Sequence, residues 1–159
     1  MLVAMGRPRT KSFAFLISLL LVGIIFGFLF QAIDRLLGFP RVLPDPDNLT
    51  GLVIVVIGSW LRFWAGSVFY GKNRSMVSFK VPPNLVTKGP WKYSRNPLYL
   101  GLILIGLGFS FFFFSYSYLL LTLVGIGLLQ LEIRNEEKVL TQSFGEEYLE
   151  YKKHVRKWI

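Results

Sequence analysis

The sequence predicts an all-α, polytopic membrane domain with about four transmembrane helices and an amphipathic, cytosolic helical segment at its C-terminal end. Three observations carry this. Residues 13–30 and 98–131 contain no Asp, Glu, Lys or Arg. Hydrophobic residues make up 53% of the chain, with 15 Phe and a mean hydropathy of +0.50, more than a soluble core of this size needs. The charges between apolar stretches segregate by sign, as the two sides of a membrane require. The 159 residues suffice for a single membrane domain, residues 1–159.

The first element follows a basic start, Arg7, Arg9 and Lys11. Residues 13–30 would span about 27 Å as a helix, close to the hydrocarbon thickness. The run is long for a signal peptide, and residues 31–40 offer no small-x-small cleavage site. Gly23 and Gly27 form a G-x-x-x-G face suited to close helix packing. Residues 31–50 are a polar connection with Asp34, Arg35, Arg41, Asp45 and Asp47. The second span, residues 51–69, contains Arg62. An arginine inside a span is functional by default, yet this one lies about two turns from the end and can snorkel to the surface.

Residues 71–96 carry Lys72, Arg74, Lys80, Lys88, Lys92 and Arg95 and no acid. The positive-inside rule therefore puts this loop and the N-terminus in the cytoplasm. Val81-Pro82-Pro83-Asn84 predicts an extended path. The 34 uncharged residues 98–131 would measure about 51 Å as one helix, too long for one crossing. They should fold back at Ser115-Tyr116-Ser117-Tyr118, giving spans 98–114 and 118–133. Gly101, Gly106 and Gly108 would then approach Gly125 and Gly127. Four spans return the C-terminus to the cytoplasm. From Ile133, a helical stripe runs through Glu137, Leu140 and Phe144, with Glu136 at its edge. Acids on an apolar stripe are rare without a partner or a task, and a salt bridge to a Lys or Arg of the loop, Arg95 among them, is the plain structural alternative. Gly145 should end or bend this helix, and residues 146–158 read as a second amphipathic helix lying on the membrane.

Composition also excludes. There is no Cys and only one His, His154, so thiolate chemistry, a Ser-His-Asp triad and a histidine metal cluster are all ruled out. The net charge of +9 follows membrane topology, which points to anionic lipid as a partner and away from nucleic acid. No βαβ pattern exists for a soluble dinucleotide fold, and the G-x-G pairs lie inside apolar spans.

The chemistry concentrates in residues 88–101, K-G-P-W-K-Y-S-R-N-P-L-Y-L-G. Gly89-Pro90 is a turn, and Asn96-Pro97 opens a helix with a capping residue and a preformed first position. Free N–H groups, Arg95, Asn96 and the rings of Trp91, Tyr93 and Tyr99 gather there at the membrane edge. Such a helix start attracts anions, and the rings suit a cation or an aromatic ligand. The same residues would also serve as an interfacial aromatic belt with basic anchors.

Two segments resemble one family. L-V-T-K-G-P-W-K-Y-S-R-N-P-L-Y-L-G (residues 85–101) and E-E-K-V-L-T-Q-S-F-G-E-E-Y-L-E-Y-K-K (residues 136–153) are similar to motifs of the isoprenylcysteine carboxyl methyltransferases and their wider relatives, the phospholipid methyltransferases. The resemblance covers about the last 75 residues. It implies S-adenosylmethionine bound at the cytosolic side, with S-adenosylhomocysteine as product. The cofactor would contact Leu85, Val86, Gly89, Trp91, Tyr93, Arg95, Asn96, Pro97, Tyr99, Glu136 and Glu137. Glu137, Glu136 and Arg95 would serve catalysis, with Glu137 the best-placed group to take a proton from an amine or thiol, and a lipid-like or small hydrophobic acceptor would enter from the bilayer. Asn96 stands where the family usually has His, and Trp91 where it usually has Tyr. R-N-P is common among bacterial relatives, so cofactor binding is still expected, and the localisation expected is a prokaryotic inner (cytoplasmic) membrane. Glu132 replaces an Arg typical of enzymes acting on prenylcysteine, which weakens that substrate. Two other readings remain at this level: an NADPH-dependent membrane reductase of related C-terminal fold, and a non-enzymatic scaffold binding anionic lipid. The sequence fixes neither the acceptor nor the oligomeric state.

Overall fold

The computed structural model describes residues 8–39, 48–72 and 84–159. Expectations resting on Arg7, on the connection carrying Arg41, Asp45 and Asp47, and on Arg74, Lys80 and Val81-Pro82-Pro83 lie outside the described residues. The described residues form five α-helices and no strand: α1 (Pro8–Leu36), α2 (Asn48–Lys72), α3 (Pro97–Phe112), α4 (Tyr116–Phe144) and α5 (Glu146–His154). A single 3-10 turn, Gly89–Lys92, precedes α3.

Three of these helices are long and apolar enough to cross a membrane: Phe13–Leu36, Leu49–Phe69 and Tyr116–Phe144. α3 is a shorter apolar helix of 16 residues, about 24 Å long. α4 continues unbroken from the apolar stretch through the segment expected to be a separate cytosolic helix, and ends at Gly145. Gly145 has φ 51° and ψ −125°, a positive-φ conformation that glycine adopts without strain, and its N–H donates to the Thr141 carbonyl.

α2 and α3 pack antiparallel with their backbones nearly touching. Gly58 faces Gly101 and Gly51 faces Gly108, each pair seven residues apart along its helix. A methyl group added at Gly58 would fall 2.9 Å from the Gly101 carbonyl oxygen, and one at Gly101 would fall 2.8 Å from the Gly58 carbonyl oxygen. The expected pairing of α3 with α4 through glycines is corrected here. Of these glycines only Gly106 looks toward α4, where it meets Thr122, and a Cβ added at Gly125 or Gly127 would meet no other helix among the described residues within 4 Å.

The G-x-x-x-G face of α1 does pack closely, with the Phe109 ring seated against Gly23 and the Phe113 ring against Gly27. These rings join Val55, Ile105 and Tyr118 in the core cluster. Tyr118 is therefore buried. The turn between α3 and α4 falls at residues 113–115, slightly earlier than expected. Phe114 adopts φ 47° there, a region that bulky residues seldom enter. Ser115 caps α4 by accepting from the Tyr118 N–H at 3.1 Å. The end of α1 is fastened to the same turn. Gln31 Nε2 donates to the Phe113 carbonyl at 3.2 Å, and buried Asp34 accepts from the Ser117 hydroxyl and, at 3.2 Å, from its N–H. The ends of α1 and α3 and the starts of α2 and α4 thus lie together. The start of α3, the lower part of α4 and α5 gather at the opposite end.

Candidate active site

At that opposite end the chain turns sharply at Gly89, whose φ of 62° suits glycine. The turn rests on α2: a Cβ on Gly89 would lie 3.1 Å from a Val68 methyl. Trp91 is held by three contacts. Its Nε1 donates to the Ala65 carbonyl at 3.4 Å, its ring lies 5.9 Å from that of Phe69, and its carbonyl accepts from the Tyr151 hydroxyl at 2.7 Å. Leu85, Val86 and Pro90 are buried around this turn, and Tyr93 is 65% exposed.

Asn96 occupies the residue before α3, but its side chain makes no capping bond, contrary to the expectation. Its amide instead donates to the Lys157 carbonyl at 3.0 Å, which the Ser94 hydroxyl also reaches at 3.3 Å. The Arg95 N–H donates to the Arg156 carbonyl at 2.9 Å. Residues 94–96 thus hold the extended chain that follows α5. Pro97 is fully buried at the first position of α3.

Arg95 is the centre of the cluster. Its Nε and Nη2 both donate to Glu137 Oε1, at 3.1 and 2.9 Å. Its Nη1 donates to the carbonyls of Lys152 and Val155, at 3.1 and 3.0 Å, at the C-terminal end of α5. A guanidinium is suited to this because its donors form a rigid planar fork, and a cation is favourable at a helix C-terminus. The other oxygen of Glu137 pairs with the Lys152 ammonium at 3.2 Å. The side chains of Arg95 and Glu137 are 10% and 16% exposed, and that of Lys152 is 43% exposed.

Glu136 has a different partner. It accepts from the Tyr99 hydroxyl at 2.7 Å. The two adjacent acids thus divide their work, Glu137 between cations and Glu136 with a phenol. Arg62 lies close by, its Nη1 donating to the Leu98 carbonyl at 2.6 Å in the first turn of α3.

Sequence reasoning included residues 134–159 in the cofactor site with loop 71–96, but named no individual site residue of α5 or of the chain beyond it. α5 ends at His154, and its inner face packs on the protein, which corrects the longer membrane-lying helix expected over residues 146–158. Tyr148 is almost completely buried. Burial, reinforced by the negative charge of Glu137, pushes its hydroxyl up to about 12, so it stays neutral. Lys157 Nζ donates to Gln130 on α4 at 2.6 Å. The spacing of Tyr148, Tyr151 and Val155 was the available signal, since it places three apolar-bodied residues on one helical face.

An open groove of about 820 Å³ lies against this cluster, lined by Leu131, Arg134, Asn135, Glu137, Lys138, Thr141, Gln142 and Lys152. Among the described residues no group of three or more His, Cys, Asp or Glu side chains could hold a metal ion.

A family model for phospholipid methyltransferases matches residues 47–147, well over half of the chain. The chain belongs to the phospholipid methyltransferase family. The match takes in α2, the 3-10 turn, α3 and α4, and with them Arg95, Tyr99, Glu136 and Glu137. Tyr148, Tyr151, Lys152 and Lys157 follow its end, so part of the cluster is built by chain beyond the family match. A search among curated proteins gave no match. Membership makes this a protein of a membrane methyltransferase family, and its three long apolar helices fit that setting.

The cofactor usual for such enzymes presents a cationic sulfonium, an ammonium, a carboxylate and an adenine. The donor set fits that chemistry. Glu136 and Glu137 offer carboxylates, Lys152 a partly exposed ammonium, and Trp91, Tyr93 and Tyr99 offer rings.

Proposed function

We propose that the protein is an integral-membrane, S-adenosylmethionine-dependent methyltransferase acting on a lipid-like or small hydrophobic acceptor. The observation that carries this reading is the pairing of Arg95 with Glu137 and of Tyr99 with Glu136 at one end of the helices, where Glu137 also lines an open groove. A purely structural ion pair would account for Glu137, but not for a second acid held by the hydroxyl of Tyr99.

The bound cofactor would supply an activated methyl group. The protein's task is then alignment and exclusion of water. In this reading Glu137, Lys152, Trp91 and Tyr93 bind the cofactor, with Leu85, Val86, Gly89, Asn96 and Pro97 shaping the turn around it. Arg95 fixes Glu137 in place. The oxygens of Glu137 are engaged by Arg95 and Lys152, whereas Glu136 has one phenol partner. Glu136 is therefore the better proton acceptor where the acceptor is an amine or thiol. A carboxylate acceptor needs no base.

The same reading has α3 crossing the bilayer as a fourth span. Both termini and residues 71–96 then face the cytoplasm, consistent with the basic residues of that loop, and the membrane is a prokaryotic inner (cytoplasmic) membrane.

The test is ligand binding in detergent followed by turnover. A ligand that binds only the folded state stabilises it by about 2.7 kcal/mol at a hundredfold excess over its Kd. S-adenosylhomocysteine should raise the Tm and NADPH should not. Glu136→Gln should then lower methyl transfer from labelled S-adenosylmethionine into a membrane lipid extract by roughly 10²-fold, with S-adenosylhomocysteine affinity retained. Stabilisation by NADPH alone would replace this reading with the reductase one. Stabilisation by neither would leave a lipid-binding scaffold.

A further inference from the structure

Glu137 is served by more positive charge than it needs. Arg95 already places two donors on Oε1 and is itself fixed by the carbonyls of Lys152 and Val155. Lys152 adds a second cation, on Oε2 at 3.2 Å. It differs from Arg95 in every respect that matters to a ligand. Its side chain is 43% exposed, Glu137 is the one acid it pairs with among the described residues, and it lines the open groove together with Glu137. The groove also carries Arg134 and Lys138, and Glu137 is the acid among its lining residues.

A carboxylate and an ammonium in contact form a receptor of opposite polarity to an amino-acid end, whose ammonium and carboxylate share one carbon. The two receptor groups must adjoin, and Lys152 is the groove cation in contact with Glu137. On the methyltransferase reading, from which this inference follows, we infer that Lys152 recognises the α-carboxylate of the cofactor while Glu137 takes its α-ammonium. The Glu137–Lys152 pair opens on binding and each partner exchanges its neighbour for the matching charge of the ligand. Arg95 keeps Glu137 in place throughout. Lys152 is thus a specificity residue for the amino-acid end, contributed by chain beyond the family match.

The experiment compares two ligands by calorimetry on the full-length protein in detergent. S-adenosylhomocysteine carries the amino-acid end, and 5′-methylthioadenosine keeps the nucleoside and sulfur without it. Lys152→Met should weaken S-adenosylhomocysteine about tenfold, a modest loss because the lysine is partly solvated. Its affinity for 5′-methylthioadenosine should match wild type, which also shows that the variant is folded. Lys152→Arg, which keeps the cation, should restore most of the S-adenosylhomocysteine affinity. Equal losses for both ligands, or unchanged affinity for both, would overturn the assignment. A wild-type protein that binds neither ligand removes the methyltransferase reading itself. A wild type that binds S-adenosylhomocysteine while Lys152→Met binds it equally well removes only the role of Lys152.

Discussion

Arg95 shows how one side chain can define a site without facing it. Three of its nitrogens are occupied by Glu137 and by two carbonyls at the end of α5, so it joins α4, α5 and the segment before α3. Lysine carries the charge but lacks the fork, and cannot serve a carboxylate and two carbonyls together. Arg95→Lys should therefore destabilise the protein by about 2 kcal/mol, read as a lower Tm and faster proteolysis within α5. Tyr93→Ala, at a position 65% exposed, should change stability by less than about 0.5 kcal/mol. Comparable losses in the two variants would show that the Arg95 cluster does not hold the C-terminal segment.

At the level of helices, the deciding contact is backbone against backbone. Gly51 and Gly58 on α2 meet Gly108 and Gly101 on α3, and this contact sets the height at which the start of α3 presents the site. Gly58→Val would drive a branched side chain into the Gly101 carbonyl and should cost about 1–3 kcal/mol. It should also displace Arg95 and Tyr99, so that S-adenosylhomocysteine binding falls along with the Tm. A variant of wild-type stability would mean that α2 and α3 can separate freely. The long apolar helices were legible because apolar composition over 18 or more residues is a local property, even where Arg62 interrupts it in α2. The partner of each glycine was not, because spacing marks a face without naming what covers it. Neighbours in sequence invited the pairing of α3 with α4, yet a Cβ added at Gly125 or Gly127 would meet no other helix among the described residues within 4 Å. The turn at Phe114 was legible only to within a few residues, since neither Gly nor Pro marks it.

For the molecule as a whole, the site is assembled from distant parts of the sequence: residues 85–99, the end of α4, and α5 with the chain after it. The Glu pair on its apolar stripe and the R-N-P segment could be read directly, and the structure joins them through Arg95–Glu137 and Tyr99–Glu136. The bonds from Ser94, Asn96 and Arg95 to the carbonyls of residues 155–157 left no such trace. Backbone acceptors have no sequence signature.

The shortness of α3 has a further consequence for the surrounding lipid. A helix of 16 residues is about 24 Å long, against a hydrocarbon core of about 30 Å. With α3 crossing as proposed, its flank is too short for an average bilayer while α1 and α4 are long enough. The resulting hydrophobic mismatch falls on one side of the molecule, and the lipids there must thin toward the start of α3, which lies at the site. Acyl-chain length then becomes a variable of the protein's behaviour, with a cost of fractions of a kcal/mol per ångström. In vesicles of fixed headgroup, S-adenosylhomocysteine binding should be tightest in short-chain lipid and weaken steadily as the chains lengthen. Affinity independent of chain length would show that the bilayer beside α3 is not deformed.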